Sequence, residues 1–370
     1  MTMMYDISQD LLEEILSRVP VTSLRAVRST CKRWNDIIKA VPARHIFSKK
    51  YGGKGANEFL VIMLNDFRAC LMSVNHHGIL DNKDLVDPFI KQIGELNQVE
   101  IYQVFHCDGL LLCITNEDNT RLVVWNPYLE QTRWIQPINK FCKFDCYCMG
   151  YDNNNNNHKI LRFFIRFGYI EYEIYNLSLI QPGADLLDPP LHTTTNWDIS
   201  PYCSRGVSLK GNTYFIAQKK MEVEQVETEK NLHCFDFTSE RFGPLLPLPF
   251  HYSIGNLVIL STVREEQLAV LFKRCGAYET KIWITTKVEP NTVSWSNLLK
   301  LDFKFDLLCG SFFFDKEEKV AVIRSVHGEN STNNTAYMIG EDGYCKEVDL
   351  GESKFCPSIW SYVPSCVQIQ

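Results

Sequence analysis

Apolar residues near the start of the chain recur three and four positions apart. Leu11, Leu12, Ile15, Leu16 and Val19 share one face of a predicted helix. Ser8 is placed to cap it, Asp10, Glu13 and Glu14 lie near its positive end, and Pro20 stops it. A second helical stretch starts near Val21 and Thr22, with Leu24, Val27, Cys31, Trp34 and Ile38 at a 3-4-3-4 spacing, and ends at Pro42. So short a head has more apolar surface than it can bury on itself. A partner protein would cover the surplus, and so would packing onto the rest of the chain.

From about residue 58 the period shortens. Apolar runs of four to eight residues, such as FLVIML, GLLLCI, QLAVLF and KVAVIR, alternate with polar turn clusters, the pattern of strands and hairpins. The run Asn153 to Asn157 reads as one such polar loop. An apolar or aromatic strand ending in a small polar residue recurs at Asn75, Asn126, Asn176, Asp236, Thr286 and Gly340, at spacings of 51, 50, 60, 50 and 54. Kelch blades repeat at about 50 residues. The pattern therefore predicts a small all-α head over 1–48, a linker over 49–57 and an all-β domain over 58–370. That domain is expected to be a six-unit kelch-like β-propeller, a closed ring that hides its sheet edges, with an irregular two-sheet sandwich as the alternative. Ring closure would need a clasp, placed at Trp360 to Ile369.

Charge sharpens the division. The formal net charge is −6, yet residues 1–50 hold nine Lys/Arg against five Asp/Glu, so the remainder carries −10. A basic head on an acidic body suits an acidic partner, although chance clustering gives the same count. An acidic body lacks the basic stripe that nucleic-acid binding needs. The longest stretch free of Lys, Arg, Asp and Glu, Phe242 to Val263, holds three prolines, two glycines and a histidine, which makes it a poor membrane span. The start lacks a basic signal-peptide region, so the 14 cysteines read as reduced thiols and the expected location is cytosol or nucleus.

The string ISQDLLEEILSRVPVTSLRAVRSTCKRWNDII resembles the F-box. It matches that pattern at Asp10, Leu11, Leu12, Glu14, Ile15, Leu16, Arg18 and Pro20, then at Ser23, Leu24, Arg28, Cys31, Lys32, Trp34 and Ile38. It departs at Ile7-Ser8, where the family has Leu-Pro, and at Thr30. Further on, HCDGLLLCI, VVWNPYLEQTRWI, FDFTSERFGPLLPLP, LAVLF, IWITT, VSWSNLLKLD and YVPSCVQI resemble the F-box-associated domain of plant F-box proteins. The resemblance implies a substrate receptor. Its head would bind a Skp-type adaptor, and through that a cullin and RING subunit, while the β domain captures an unknown protein for ubiquitination. The adaptor-binding candidates are Ile7, Leu11, Leu12, Ile15, Leu16, Pro20, Leu24, Val27 and Trp34, some of which would form inter-helix core. The departure at Ile7-Ser8 leaves open a receptor that has lost its adaptor.

No enzyme signature competes strongly. Cys142, Cys146 and Cys148 lack the second ligand pair of a structural zinc site. The adjacent His76 and His77 would point apart on a strand. Tyr51-Gly52-Gly53-Lys54-Gly55 lacks phosphate-loop spacing and reads as linker. Glu265-Glu266 and Glu317-Glu318 fall in apparent turns and are expected to be solvated. No cofactor or metal is expected. A propeller-based enzyme or small-molecule sensor stays as the alternative. The target is expected on long loops held by the rigid scaffold, over 139–151 and 182–201, with Tyr147, His192 and Trp197 as candidate contacts, against the alternative that these rings pack inward.

Overall fold

The computed structural model describes residues 58–75, 89–97, 99–118, 120–135, 142, 145–166, 169–178, 191–194, 197–199, 206–219, 230–263, 265–302, 311–315, 320–325, 333–340, 345–353, 358–365 and 367–369, preceded by Leu11, Ile15, Val27, Thr30 and Trp34. These five head residues are each helical.

The domain consists of six antiparallel sheets in a ring. Blade I holds β1 (Glu58–Asn65), β2 (Arg68–Asn75) and β3 (Phe89–Glu95). Blade II holds β4 (Ile101–Cys107), β5 (Leu110–Thr115), β6 (Leu122–Asn126) and β7 (Gln131–Ile135). Blade III holds β8 (Cys146–Tyr151), β9 (His158–Arg166), β10 (Tyr169–Asn176) and β11 (Leu191–Thr194). In blade IV, β12 (Trp197–Asp198) and β13 (Val207–Leu209) both pair with β14 (Asn212–Lys219), followed by β15 (Lys230–Asp236) and β16 (Arg241–Leu246). Blade V holds β17 (Leu257–Val263), β18 (Gln267–Lys273), β19 (Glu279–Glu289) and β20 (Thr292–Asp302). Blade VI holds β21 (Phe312–Asp315), β22 (Val320–Ser325), β23 (Asn333–Gly340) and β24 (Cys345–Glu352). The last strand, β25 (Ser358–Ser361), returns to blade I and pairs with β1, giving the order β25-β1-β2-β3. Its register sets Ile62 opposite Trp360 and Met63 opposite Ile359. The expected clasp is present, but its strand ends at Ser361 instead of running from Trp360 to Ile369, and the closed ring replaces the sandwich alternative.

The continuous apolar runs follow from this architecture. An inner strand is covered by a blade on each side, so both of its alternating faces are buried. In β5, Leu111 and Cys113 join the cluster between blades I and II, while Leu110, Leu112 and Ile114 join the one between II and III. In β1, Leu60, Ile62 and Leu64 face blade II, and Val61 and Met63 face blade VI. Six such clusters, one per blade interface, close the circle.

Strand direction assigns every connection to a face. Links from first to second and from third to fourth strands emerge on one face, and the remaining links on the other. Because β25 takes the first-strand position, the chain enters β1 and leaves β25 on the same face.

Buried in blade IV, His233 sits 4.1 Å from the Trp197 ring and stacks on Phe242 at 5.2 Å. Burial pushes its pKa down to about 4, so the folded protein keeps it neutral. The unfolded state binds that proton more readily below pH 6.5, so stability is full above 6.5 and falls as pH drops toward 4. This histidine is expected to cost on the order of 2 kcal/mol between pH 7 and 5. In urea titrations, His233→Leu should show a pH 7-to-5 loss smaller by that amount; an equal loss in both proteins would assign the effect elsewhere.

Candidate functional site

The head and the ring meet on the face where the chain enters β1. Trp34 is buried among Leu60, Ile62, Trp125, Tyr128, Leu129 and Tyr362, within the cluster between blades I and II, and Val27 packs partly against it. Leu11 and Ile15, four residues apart on a helix, are instead 51% and 36% exposed. Geometry thus divides candidates that share one sequence motif. Trp34 is buried in the cluster between two blades. Ile7, Leu12, Leu16, Pro20 and Leu24 lie outside the described residues.

Three motifs converge on this face. Asp108-Gly109 forms the β4–β5 turn. Gly109 has φ +72°, and a Cβ there would stand 2.5 Å from Ser365, so only glycine lets the C-terminal tail pass. Tyr362 donates its hydroxyl to the Gly109 carbonyl at 3.0 Å. The fully buried Asn126 of the WNP motif accepts the amides of Tyr128 and Leu129 and donates to the carbonyls of Ser365 and Val367. Ile369 donates its amide to Gln131. HCDG and WNP therefore form a socket for the tail that contains YVPSCVQI.

A polar group completes the socket. Glu265 accepts the Asp108 amide at 3.1 Å and lies 3.2 Å from His106 Nε2, which accepts the Gly109 amide. Burial pushes His106 down to about 4, so its ring is neutral near pH 7. Asp108 stands 3.5 Å from His158. Glu265 is thus not the solvated turn residue its sequence suggests, since the β17–β18 turn folds inward onto blade II. Glu317 and Glu318 lie outside the described residues. The group orders backbone amides and holds the tail. Burial raises the thiols of Cys70, Cys107, Cys113, Cys148 and Cys234, so these cysteines are apolar filling rather than reactive groups. Among the described residues no three His, Cys, Asp or Glu side chains group as metal ligands, and no helix is long and apolar enough to cross a membrane. His76 and His77 lie outside the described residues.

Two of the three loop contacts expected for a target, Tyr147 and Trp197, are corrected to buried positions. Tyr147 is 1% exposed, lies in β8 and gives its hydroxyl to the Cys142 carbonyl at 2.8 Å. Trp197 is 6% exposed and packs against His233 and Phe242. Both rings are structural because short strands run through segments that read as loop. His192 lies in β11 opposite Glu171. Besides Leu11 and Ile15, the exposed large apolar residues among those described are Trp134, Ile254 and Tyr278. Arg121 covers the Trp134 ring at 4.4 Å. Ile254 and Tyr278 belong to the two turns beside a concavity on blade V that sequence reasoning missed, since residues 242–263 read only as a poor membrane span and, in part, as a family-resemblance motif. The usable signal was PLLPLPFH, an apolar segment broken by prolines.

Comparison with known proteins agrees with this division of the chain. The family described as F-box associated beta propeller domain matches residues 60–369, and the F-box domain matches 4–45. The Arabidopsis thaliana protein At3g19560 is 66% identical, over 100% of this chain and 99% of its own length. The F-box/kelch-repeat protein At3g13680 of the same plant is 48% identical, over 100% and 97%. The F-box protein At3g17320, also from Arabidopsis thaliana, is 44% identical over the full length of both chains.

Proposed function

The chain belongs to the plant F-box proteins that carry an F-box associated beta propeller domain, and on that premise we propose that it is the substrate-recognition subunit of a Skp–cullin–F-box ubiquitin ligase. The head, over 1–48, binds the Skp-type adaptor. The linker, over 49–57, joins it to the propeller from 58 onward, which holds the target protein. Catalysis by such a subunit is proximity, since it raises the effective concentration of the target beside the charged conjugating enzyme. It works as a non-catalytic subunit in the cytosol or nucleus.

The observation that carries this reading is the exposure of Leu11 and Ile15 within a matched F-box. A helix in a head this small buries its apolar face unless a partner does so. The adaptor surface is assigned to Leu11 and Ile15 together with Ile7, Leu12, Leu16, Pro20 and Leu24. Val27 and Trp34 are assigned to seating the head on the ring.

Reconstitution tests the proposal. The purified full chain is expected to form a stoichiometric complex with a recombinant plant Skp-type adaptor, and that complex to join a cullin–RING pair. A folded chain that elutes free of adaptor at micromolar concentrations would overturn it.

A further inference from the structure

Blade V carries an open concavity of about 440 Å³, built from the segment between β16 and β17 and from the β18–β19 turn. Both are connections of the face opposite to the one where the chain enters β1. Phe250 and Phe272 stack in it at 4.0 Å, and Trp283 lines it with a buried indole N–H that has no acceptor among the described residues. Buried donors are rarely left unpaired, and the acceptor missing here would come from a ligand.

The rim is rigid. The Cys275 amide donates to Asn256 Oδ1 at 3.1 Å, tying the two turns together, while Asn256 N to Ser253 O and Ala277 N to Arg274 O close each turn internally. Gly255 and Gly276, at φ +88° and +71°, permit these bends. Ile254 and Tyr278 project from the same two turns at 66% and 63% exposure. Turns fixed in this way lose little entropy when a ligand seats beside them.

The pocket's charge selects the occupant. Arg274, Lys281, His251 and Glu279 line it. Glu279 is ionised and its charge already paired: hydrogen bonds from Lys300 and Lys281 hold its carboxyl down at about 2. Arg274 has no carboxylate partner among the described residues. An unpaired guanidinium beside an aromatic floor, on a domain of net negative charge, is a local site for a carboxylate next to an apolar side chain.

We propose that this pocket binds an extended peptide segment of a target protein, with an aromatic or large aliphatic side chain on the Phe250–Phe272 floor and an adjacent Asp or Glu on Arg274. The inference rests on the receptor reading only for calling the bound protein a target. Its position on the face opposite the head would keep adaptor and target from competing for surface.

The test uses the full chain and a phage-displayed library of random twelve-residue peptides. Selection on the wild-type protein is expected to enrich sequences pairing an acidic residue with an aromatic or aliphatic one. A synthetic, labelled peptide from the enriched set should bind at least tenfold more weakly to Arg274→Glu, and as weakly to the rim variant Ile254→Asp/Tyr278→Asp. Both variants change surface positions, and unchanged melting temperatures verify their folds. Binding should weaken as salt rises from 50 to 500 mM. No enrichment, enrichment of basic peptides, or equal affinity for all three proteins would overturn the proposal. Adaptor binding by the same three proteins is measured in parallel. Peptide binding without adaptor binding would remove the receptor reading and leave the pocket standing, and the reverse would remove the pocket alone.

Discussion

A chain ending at residue 357 is expected to lose the cooperative unfolding transition of the full-length protein. The thirteen missing residues act at three of the six blade interfaces. Without β25, the inner edge of β1 is left unpaired from Val61 to Leu64. Ile359 leaves the cluster between blades VI and I, Trp360 and Tyr362 leave that between I and II, and Val367 and Ile369 leave that between II and III. Ile359 and Tyr362 are buried and the other three partly so; at roughly 1.5–3 kcal/mol for each fully buried side chain, this loss is comparable with the lower end of the roughly 5–15 kcal/mol that hold a whole domain together. Asn126 Nδ2 and Ser311 Oγ also lose partners inside the protein. A graded version of the same argument is Asn126→Ala. It removes two accepted and two donated hydrogen bonds from a fully buried site, and should cost about 3–4 kcal/mol at roughly 1 kcal/mol each. Calorimetry reads both. A truncated chain melting in one sharp transition near the full-length temperature would show that the ring closes without its last strand.

The ring was legible in sequence because its inner strands are apolar on both faces, and because blades I to IV end their third strand in a small polar residue, Asn75, Asn126, Asn176 and Asp236. Asn126, Asn176 and Asp236 each turn the chain there by accepting the amide two residues on, from Tyr128, Ser178 and Thr238. Thr286 marks the same strand but falls inside β19, which runs on to Glu289 and shares a bulged register with β20. The sites were less legible. Alternation says that neighbouring side chains point to opposite faces, but in a propeller both faces of an inner strand are interior. Aromatic residues such as Tyr147 and Trp197 therefore give no sequence signal of which way they point. Glu265 misled for a related reason: its turn is a surface turn of blade V and an inner contact of blade II at once. The blade V pocket depends on two turns far apart in sequence, joined by one amide-to-Asn256 hydrogen bond. In the head, one helical period covers residues that seat it on the ring and residues left open, and only packing separates them.

Replacing Leu11 and Ile15 together by Asp should abolish adaptor binding while leaving the propeller intact. Both side chains are exposed, so neither substitution strains a core. In a complex the two positions would lie one turn apart on a covered helix face. Each apolar anchor lost there removes roughly 1.5–3 kcal/mol, and each buried carboxylate without a partner costs at least about as much again. An affinity loss of at least about a hundredfold, about 2.7 kcal/mol, is a conservative expectation. Surface plasmon resonance against the recombinant adaptor measures it, with the melting temperature as the control for folding. Trp34→Ala supplies the contrast. Its side chain belongs to the core cluster between blades I and II, so its loss should loosen the head from the ring and hasten limited proteolysis before β1, with adaptor affinity changed less than about threefold. If the double Asp variant binds the adaptor normally while Trp34→Ala does not, the roles assigned to the two groups of residues are reversed.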